Sequence, residues 1–150
     1  MQKLKIFTTG GTIDKIYFDS LSEYKVGSPT IASLLERFNV HFDFSVSSLM
    51  HKDSLEITDQ DRQLILQHVS ECDEEHILIT HGTDTMVQTA SLLASVKNKT
   101  ILITGSLKPA VFKESDAEFN IGSALGALWT AKPGVYIAMN GFVFPWDSVI

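Results

Sequence analysis

The 150-residue sequence holds a single cysteine, Cys72. One thiol makes no internal disulfide and cannot by itself build a zinc site. Cations are few and scattered: 12 Lys and Arg stand against 18 Asp and Glu, for a formal charge of -6 and a pI near 5.2. Phosphate neutralisation needs clustered Lys and Arg, so neither nucleic acid nor an anionic membrane surface is an expected partner. Long apolar runs are missing too, and nothing approaches the ~20 residues of a membrane span. The N-terminus, Met1-Gln2-Lys3-Leu4-Lys5, passes straight into a strand pattern instead of the apolar segment of a secretory leader. The expected location is the cytoplasm. Repeats, low-complexity tracts and internal linkers are also lacking, which leaves one globular domain.

The glycine patterns of nucleotide sites are absent as well. Gly10-Gly11 belongs neither to Gly-x-Gly-x-x-Gly nor to a phosphate-cradling loop ending in Gly-Lys-Ser/Thr. His51 lies near Asp53 and His81 near Asp84, without the i, i+4 histidines or paired cysteines of a metal site, so no metal is expected.

What the sequence does contain is two hydroxyl-rich strand ends. Thr8-Thr9-Gly10-Gly11-Thr12-Ile13 follows the run Leu4-Lys5-Ile6-Phe7, and Thr80-His81-Gly82-Thr83-Asp84-Thr85 follows Ile77-Leu78-Ile79. β-Branched Thr favours extended backbone, whereas Gly admits left-handed torsions and close approach by another group. Each stretch reads as a strand breaking into a loop that presents a hydroxyl.

Around them, apolar β-branched runs predict strands over 3–9, 41–49, 76–80, 100–104 and 135–139. Helical spacing predicts four helices. The first carries Ile31, Leu34, Leu35 and Phe38 after Ser28 as N-cap and Pro29. The second carries Leu64, Ile65 and Val69 after the capping pair Thr58 and Asp61. The third carries Ala90, Leu93 and Ala94, and the fourth Phe119, Ile121, Ala124, Leu125 and Leu128. Residues 14–28 read as an irregular loop over the site. Phe142, Phe144 and Trp146 look exposed and in need of a cover.

Alternating strands and helices predict an α/β, doubly wound, flavodoxin-like three-layer sandwich with a mostly parallel five-stranded sheet in the order 2-1-3-4-5. Strand order reverses direction between strands 1 and 3, and ligands bind beyond the carboxyl ends of strands at such a switch. The two Thr-rich loops sit at those ends, so Thr12 and Thr83 are expected in one pocket. Thr9, Asp84 and Thr85 would join them, with Lys52, Asp53 and Ser54 from the loop after strand 2. A hydroxyl nucleophile fits this set: a partner takes its proton, the Gly10-Gly11 turn offers N–H groups to an oxyanion, and Asp84 offers an anion to a substrate ammonium. The alternative is that Thr12 and Thr83 cap the helices after their strands.

These residues also resemble a known family. Thr8 to Ile13 resembles the first signature of the bacterial-type L-asparaginase/glutaminase family, and His81-Gly82-Thr83-Asp84-Thr85-Met86 resembles its second. Similarity continues through Tyr24-Lys25-Val26-Gly27, Gly105-Ser106-Leu107-Lys108-Pro109, Ser115-Asp116 with Phe119-Asn120, and Met139-Asn140. The resemblance covers 1–150 as one N-terminal-type domain without the family's smaller C-terminal domain, so a short single-domain member is expected. It implies that Thr12 is the acylated nucleophile, that Tyr24 closes over the substrate and helps activate it, that Thr83 positions the second polar cluster, and that Asp84 binds the substrate's α-ammonium. Gly11, Asp53 and Ser54 would complete the substrate site. L-Asparagine would give aspartate and ammonia with no cofactor, glutamine or another side-chain amide being an alternative substrate and a non-catalytic amino-acid-binding module an alternative role. The family's second cluster also includes a lysine, which the match places just past Ile150; Lys52 is a candidate substitute, against a plain structural lysine. A homodimer or higher homo-oligomer is implied, with small residues around Gly122 and Gly126 as a candidate contact.

Overall fold

The computed structural model describes residues 2–17, 24–26 and 29–148. Strand β1 (Lys3–Gly10) leads into a 3₁₀ turn at Thr12–Asp14 and then a small hairpin of β2 (Lys15–Tyr17) and β3 (Tyr24–Val26). Helix α1 (Ile31–Arg37), β4 (Asp43–Lys52), α2 (Asp59–Glu71) and β5 (His76–Thr80) follow. The chain continues through α3 (Met86–Leu93), β6 (Thr100–Thr104), α4 (Ala117–Leu128), β7 (Gly134–Met139) and β8 (Phe142–Pro145).

The main sheet runs β4-β1-β5-β6-β7-β8. Its first five strands are parallel and reproduce the expected order 2-1-3-4-5, while β8 pairs antiparallel with β7. The sheet therefore has six strands, not five. The extra strand is made by Asn140 (φ 56) and Gly141 (φ 84), a two-residue turn in left-handed backbone that folds Phe142 back opposite Met139. Phe142 is 71% exposed, whereas Phe144 and Trp146 pack against the core beside α3. The hairpin of β2 and β3 replaces part of the irregular loop expected over 14–28, with Lys15 opposite Val26 and Tyr17 opposite Tyr24.

Because β5 and β6 are covered on both faces, they are apolar on both, whereas β1 keeps Lys3 and Lys5 at its open start before Ile6 and Phe7. Phe7, Ile77, Ile79, Ile101 and Ile103 meet Ile65 and Val69 of α2 and Met86, Ala90 and Leu93 of α3 on one side. Leu4, Ile6, Leu78 and Leu102 meet Ile31, Leu34 and Leu35 of α1 and Ile121, Ala124 and Leu128 of α4 on the other. The alternation of β1 residues between the two clusters follows from the period of two in a strand. Gly122 and Gly126 lie off this packed face, and among the described residues a Cβ on either would meet nothing within 4 Å.

Helix starts differ in how they are fixed. Thr58 and Asp61 form the expected capping box of α2, Thr58 Oγ1 accepting from the Asp61 N–H at 3.1 Å and Asp61 accepting from the Thr58 N–H at 2.9 Å. The proposed cap Ser28 lies outside the described residues. Helix α1 begins after Thr30, whose N–H is taken by the side chain of Asp14, 16 residues earlier. That bond ties the two ends of the hairpin excursion together.

Candidate active site

The loops that follow β1, β4 and β5 meet at the carboxyl end of the sheet, where the strand order switches direction. They meet backbone to backbone. Gly11 (φ 87) approaches Gly82 so closely that a Cβ on Gly11 would lie 2.5 Å from the Gly82 nitrogen. A Cβ on Gly82 would in turn lie 2.7 Å from Ser54 Cβ. Glycine here is a condition of contact between loops that other residues would hold apart. The Gly11 N–H donates to Lys52 O at 2.9 Å, locking the β1 loop to β4. Gly11 thus spends on the scaffold the N–H group expected for an oxyanion, and it stays buried beneath the site.

Above these contacts opens a cavity of about 350 Å³. The β1 turn contributes Thr12 and Lys15, the segment after β4 contributes Asp53 to Glu56, and the β5 loop contributes Gly82, Thr83 and Asp84. Thr12 and Thr83 therefore share one cavity. Neither caps an α-helix: α3 has Thr85 at its N-cap with no side-chain cap bond, and the 3₁₀ turn has Gly11. The other expected hydroxyls are used elsewhere. Thr9 is fully buried and donates to Thr80 O at 3.0 Å, and Thr85 donates to Ser54 O at 2.8 Å.

Ser54 is itself buried, and its Oγ accepts the Asp84 N–H at 3.0 Å. Its hydroxyl and carbonyl together hold the 84–85 segment, which aims the β5 loop at the cavity. Lys52 does not line the cavity; its ammonium sits 2.7 Å from Asp61 Oδ2 at the start of α2. That pairing and the Thr58 N–H bond hold the Asp61 carboxyl below the usual carboxylate range, in keeping with the structural reading of Lys52. Tyr24 has its backbone in β3, and its side chain lies outside the described residues.

Two buried titratable groups support the loops from below. His81 is fully buried, with Nδ1 2.7 Å from Gly82 O and Nε2 2.8 Å from Thr89 Oγ1. A carbonyl only accepts, so Nδ1 carries the proton and Nε2 accepts from Thr89. Thr89 in turn accepts from Arg62 Nε at 3.2 Å, which runs a chain from α2 through α3 to Gly82. Burial, with the Arg62 charge nearby, lowers the His81 pKa to about 4 and keeps the ring neutral. Asp14 Oδ1 accepts from both the N–H and the hydroxyl of Thr30 at 3.1 Å, while its buried Oδ2 has no partner among the described residues. Burial raises the Asp14 pKa to about 6, against the lowering effect of Thr30.

A family model described as "Asparaginase, N-terminal" matches residues 3–147. The chain belongs to the asparaginase family. The L-asparaginase of Thermococcus kodakarensis is 32% identical over 142 residues, 91% of this chain and 43% of the relative. L-Asparaginase 2 of Bacillus subtilis is 29% identical, over 93% of this chain and 41% of the relative. Among solved structures, the thermostable L-asparaginase of Thermococcus kodakarensis superposes with a TM-score of 0.83 at 27% identity, covering 97% of this chain and 46% of that one. The chain spans under half the length of the curated relatives it matches.

Within this asparaginase-family domain, the signature threonines and Asp84 meet at the cavity as the strand order implied. Sequence reasoning missed Lys15 and Glu56. Lys15 follows Thr12 by three residues, and in a 3₁₀ turn the i and i+3 side chains eclipse, but nothing in the sequence marked this turn as 3₁₀. Among the described residues no group of His, Cys, Asp and Glu is arranged to hold a metal, and no helix is long and apolar enough to cross a membrane.

Proposed function

We propose that this domain hydrolyses the side-chain amide of L-asparagine, with Thr12 as nucleophile. The observation that carries the reading is the single cavity that Thr12 lines together with Thr83 and Asp84 at the switch in strand order. In this reading Thr12 Oγ attacks the amide carbonyl and gives up its proton to a basic partner. The oxyanion is met by backbone donors of the 3₁₀ turn, whose first N–H groups have no acceptor within the turn. Collapse of the tetrahedral intermediate breaks the C–N bond, the nitrogen takes a proton, and ammonia leaves. Water then hydrolyses the ester on Thr12 to give aspartate and regenerate the hydroxyl.

Asp84, fixed through its N–H by Ser54, receives the substrate α-ammonium, and Thr83 orders the polar groups on the far wall. Tyr24, carried by the hairpin rooted at Lys15, is the lid residue in this scheme. Action in the cytoplasm as a homo-oligomer belongs to the same reading.

Ammonia release from L-asparagine, measured on wild type and Thr12→Ala, tests it. Turnover in wild type that falls at least about a hundredfold in Thr12→Ala is expected. Equal rates would remove Thr12 as nucleophile, and aspartate binding without turnover would make the domain a binding module. Running L-glutamine in parallel fixes the chain length the cavity accepts, because one methylene is worth only about 1–3 kcal/mol in such a pocket.

A further inference from the structure

We propose that Lys15 is the subsite for the substrate's α-carboxylate, an assignment that rests on the amino-acid amidase reading above. A free amino acid enters as a zwitterion, and its two charged groups need opposite partners when water is displaced. The cavity offers its anions from Asp53, Glu56 and Asp84, and among the described residues Lys15 is the one cation lining it. Lys52, which comes from the neighbouring strand, is committed to Asp61.

Lys15 is also placed with unusual economy. Its N–H donates to Thr12 O and closes the 3₁₀ turn, so its position is tied to that of the nucleophile through three residues of fixed backbone. Its Nζ is held 3.1 Å from Asp53 Oδ1, and the two residues line the cavity from the β1 and β4 segments. Lysine reaches by a flexible stem and can accept a second carboxylate without giving up the first, having three donors. The pair is also cheap to rearrange: the side chains are 26% and 42% exposed, and ion pairs so open to water contribute little to stability. An incoming carboxylate therefore shares or displaces Asp53 with little loss, while Asp84 holds the ammonium at the opposite wall. Asp53 then acts as a positioning residue, keeping the ammonium over the cavity when no substrate is present.

Two pairs of compounds isolate this contact. 3-Aminopropanamide is asparagine without its α-carboxylate, and β-alanine stands in the same relation to aspartate. In Lys15→Met, kcat/KM for asparagine is expected to fall ten- to hundredfold, mainly through KM, with Lys15→Arg restoring most of the loss; kcat/KM for 3-aminopropanamide should stay within about twofold. Calorimetry should show aspartate binding weakened by a similar factor and β-alanine binding unchanged. Equal losses on both members of a pair, or no loss on asparagine and aspartate, would overturn the assignment. Wild type that binds aspartate without hydrolysing asparagine would end the hydrolase reading while leaving the Lys15 comparison to be decided by calorimetry. Wild type that neither hydrolyses asparagine nor binds aspartate would end both.

Discussion

The backbones of Gly11 and Gly82 touch, with room for no side chain between them: a Cβ on Gly11 would stand 2.5 Å from the Gly82 nitrogen and 2.6 Å from its Cα. This contact joins the loop that carries Thr12 to the loop that carries Thr83 and Asp84. The two halves of the candidate site are thereby fixed in relation to each other by main chain, independently of any side-chain rotamer.

Gly11→Ala should consequently be among the most damaging single-methyl changes in the domain. It strains a φ of 87 and drives a methyl into backbone that cannot rotate away. The two costs together come to roughly 2–5 kcal/mol. Urea denaturation would read the loss of stability directly, and ammonia release should fall further than stability alone explains. A substitution that left both unchanged would show that the loops part easily.

Asp14 and His81 should pull stability in opposite directions with pH. Asp14 has its folded pKa raised from 3.8 to about 6, so it lowers stability as pH rises through that interval. His81 has its folded pKa lowered from 6.5 to about 4, so its contribution is lost as pH falls through that interval. Each shift corresponds to about 3 kcal/mol, and the intervals overlap almost completely. Wild type should stay level within about 1 kcal/mol between pH 7 and pH 4.5, whereas Asp14→Asn should lose roughly 2–3 kcal/mol over the same span. Urea midpoints at the two pH values check this, and parallel curves for the two proteins would refute the Asp14 part.

Thr89 is the relay between Arg62 and His81. Thr89→Val keeps the volume but leaves the buried His81 Nε2 without its donor, a cost of about 1–3 kcal/mol. For a chain of this size that is a drop of roughly 2–4 °C in Tm per kcal/mol. Since His81 holds Gly82 through Nδ1, turnover should decline as well, although Thr89 does not itself line the cavity. Calorimetric melting paired with ammonia release separates the two effects.

Ser54→Ala should act mainly on substrate affinity. Removing the Oγ leaves the Asp84 N–H without its acceptor and loosens the wall that, in the proposed scheme, receives the substrate ammonium. A loss of about 0.5–1.5 kcal/mol in stability is expected, with a rise in KM larger than the fall in kcat. An unchanged KM would separate Ser54 from the placement of Asp84.

Much of this was readable along the chain because it rests on local pattern. The strands Ile77-Leu78-Ile79 and Ile101-Leu102-Ile103 announce double-sided burial, and Thr58 with Asp61 announces the start of α2. The edge strand β8 was missed although its turn residues, Asn140-Gly141, are a strong hairpin signal; its half-exposed side chains give no clean alternation. The β2–β3 hairpin was missed because strands of three residues are too short to show any period.

The sequence by itself determined the order of the five parallel strands and the four helices, and the two loops that carry Thr12 and Thr83, since hydrophobic period and turn chemistry act over a few residues. Only the tertiary structure decided which groups the cavity receives. It turned Lys52 to Asp61 and brought Lys15 to Asp53, spent the Gly11 N–H on Lys52, and set Ser54 under Asp84. Each of those choices depends on where loops distant in sequence come to lie against one another. Backbone contacts such as Gly11 on Gly82 fix that, and no local propensity encodes it.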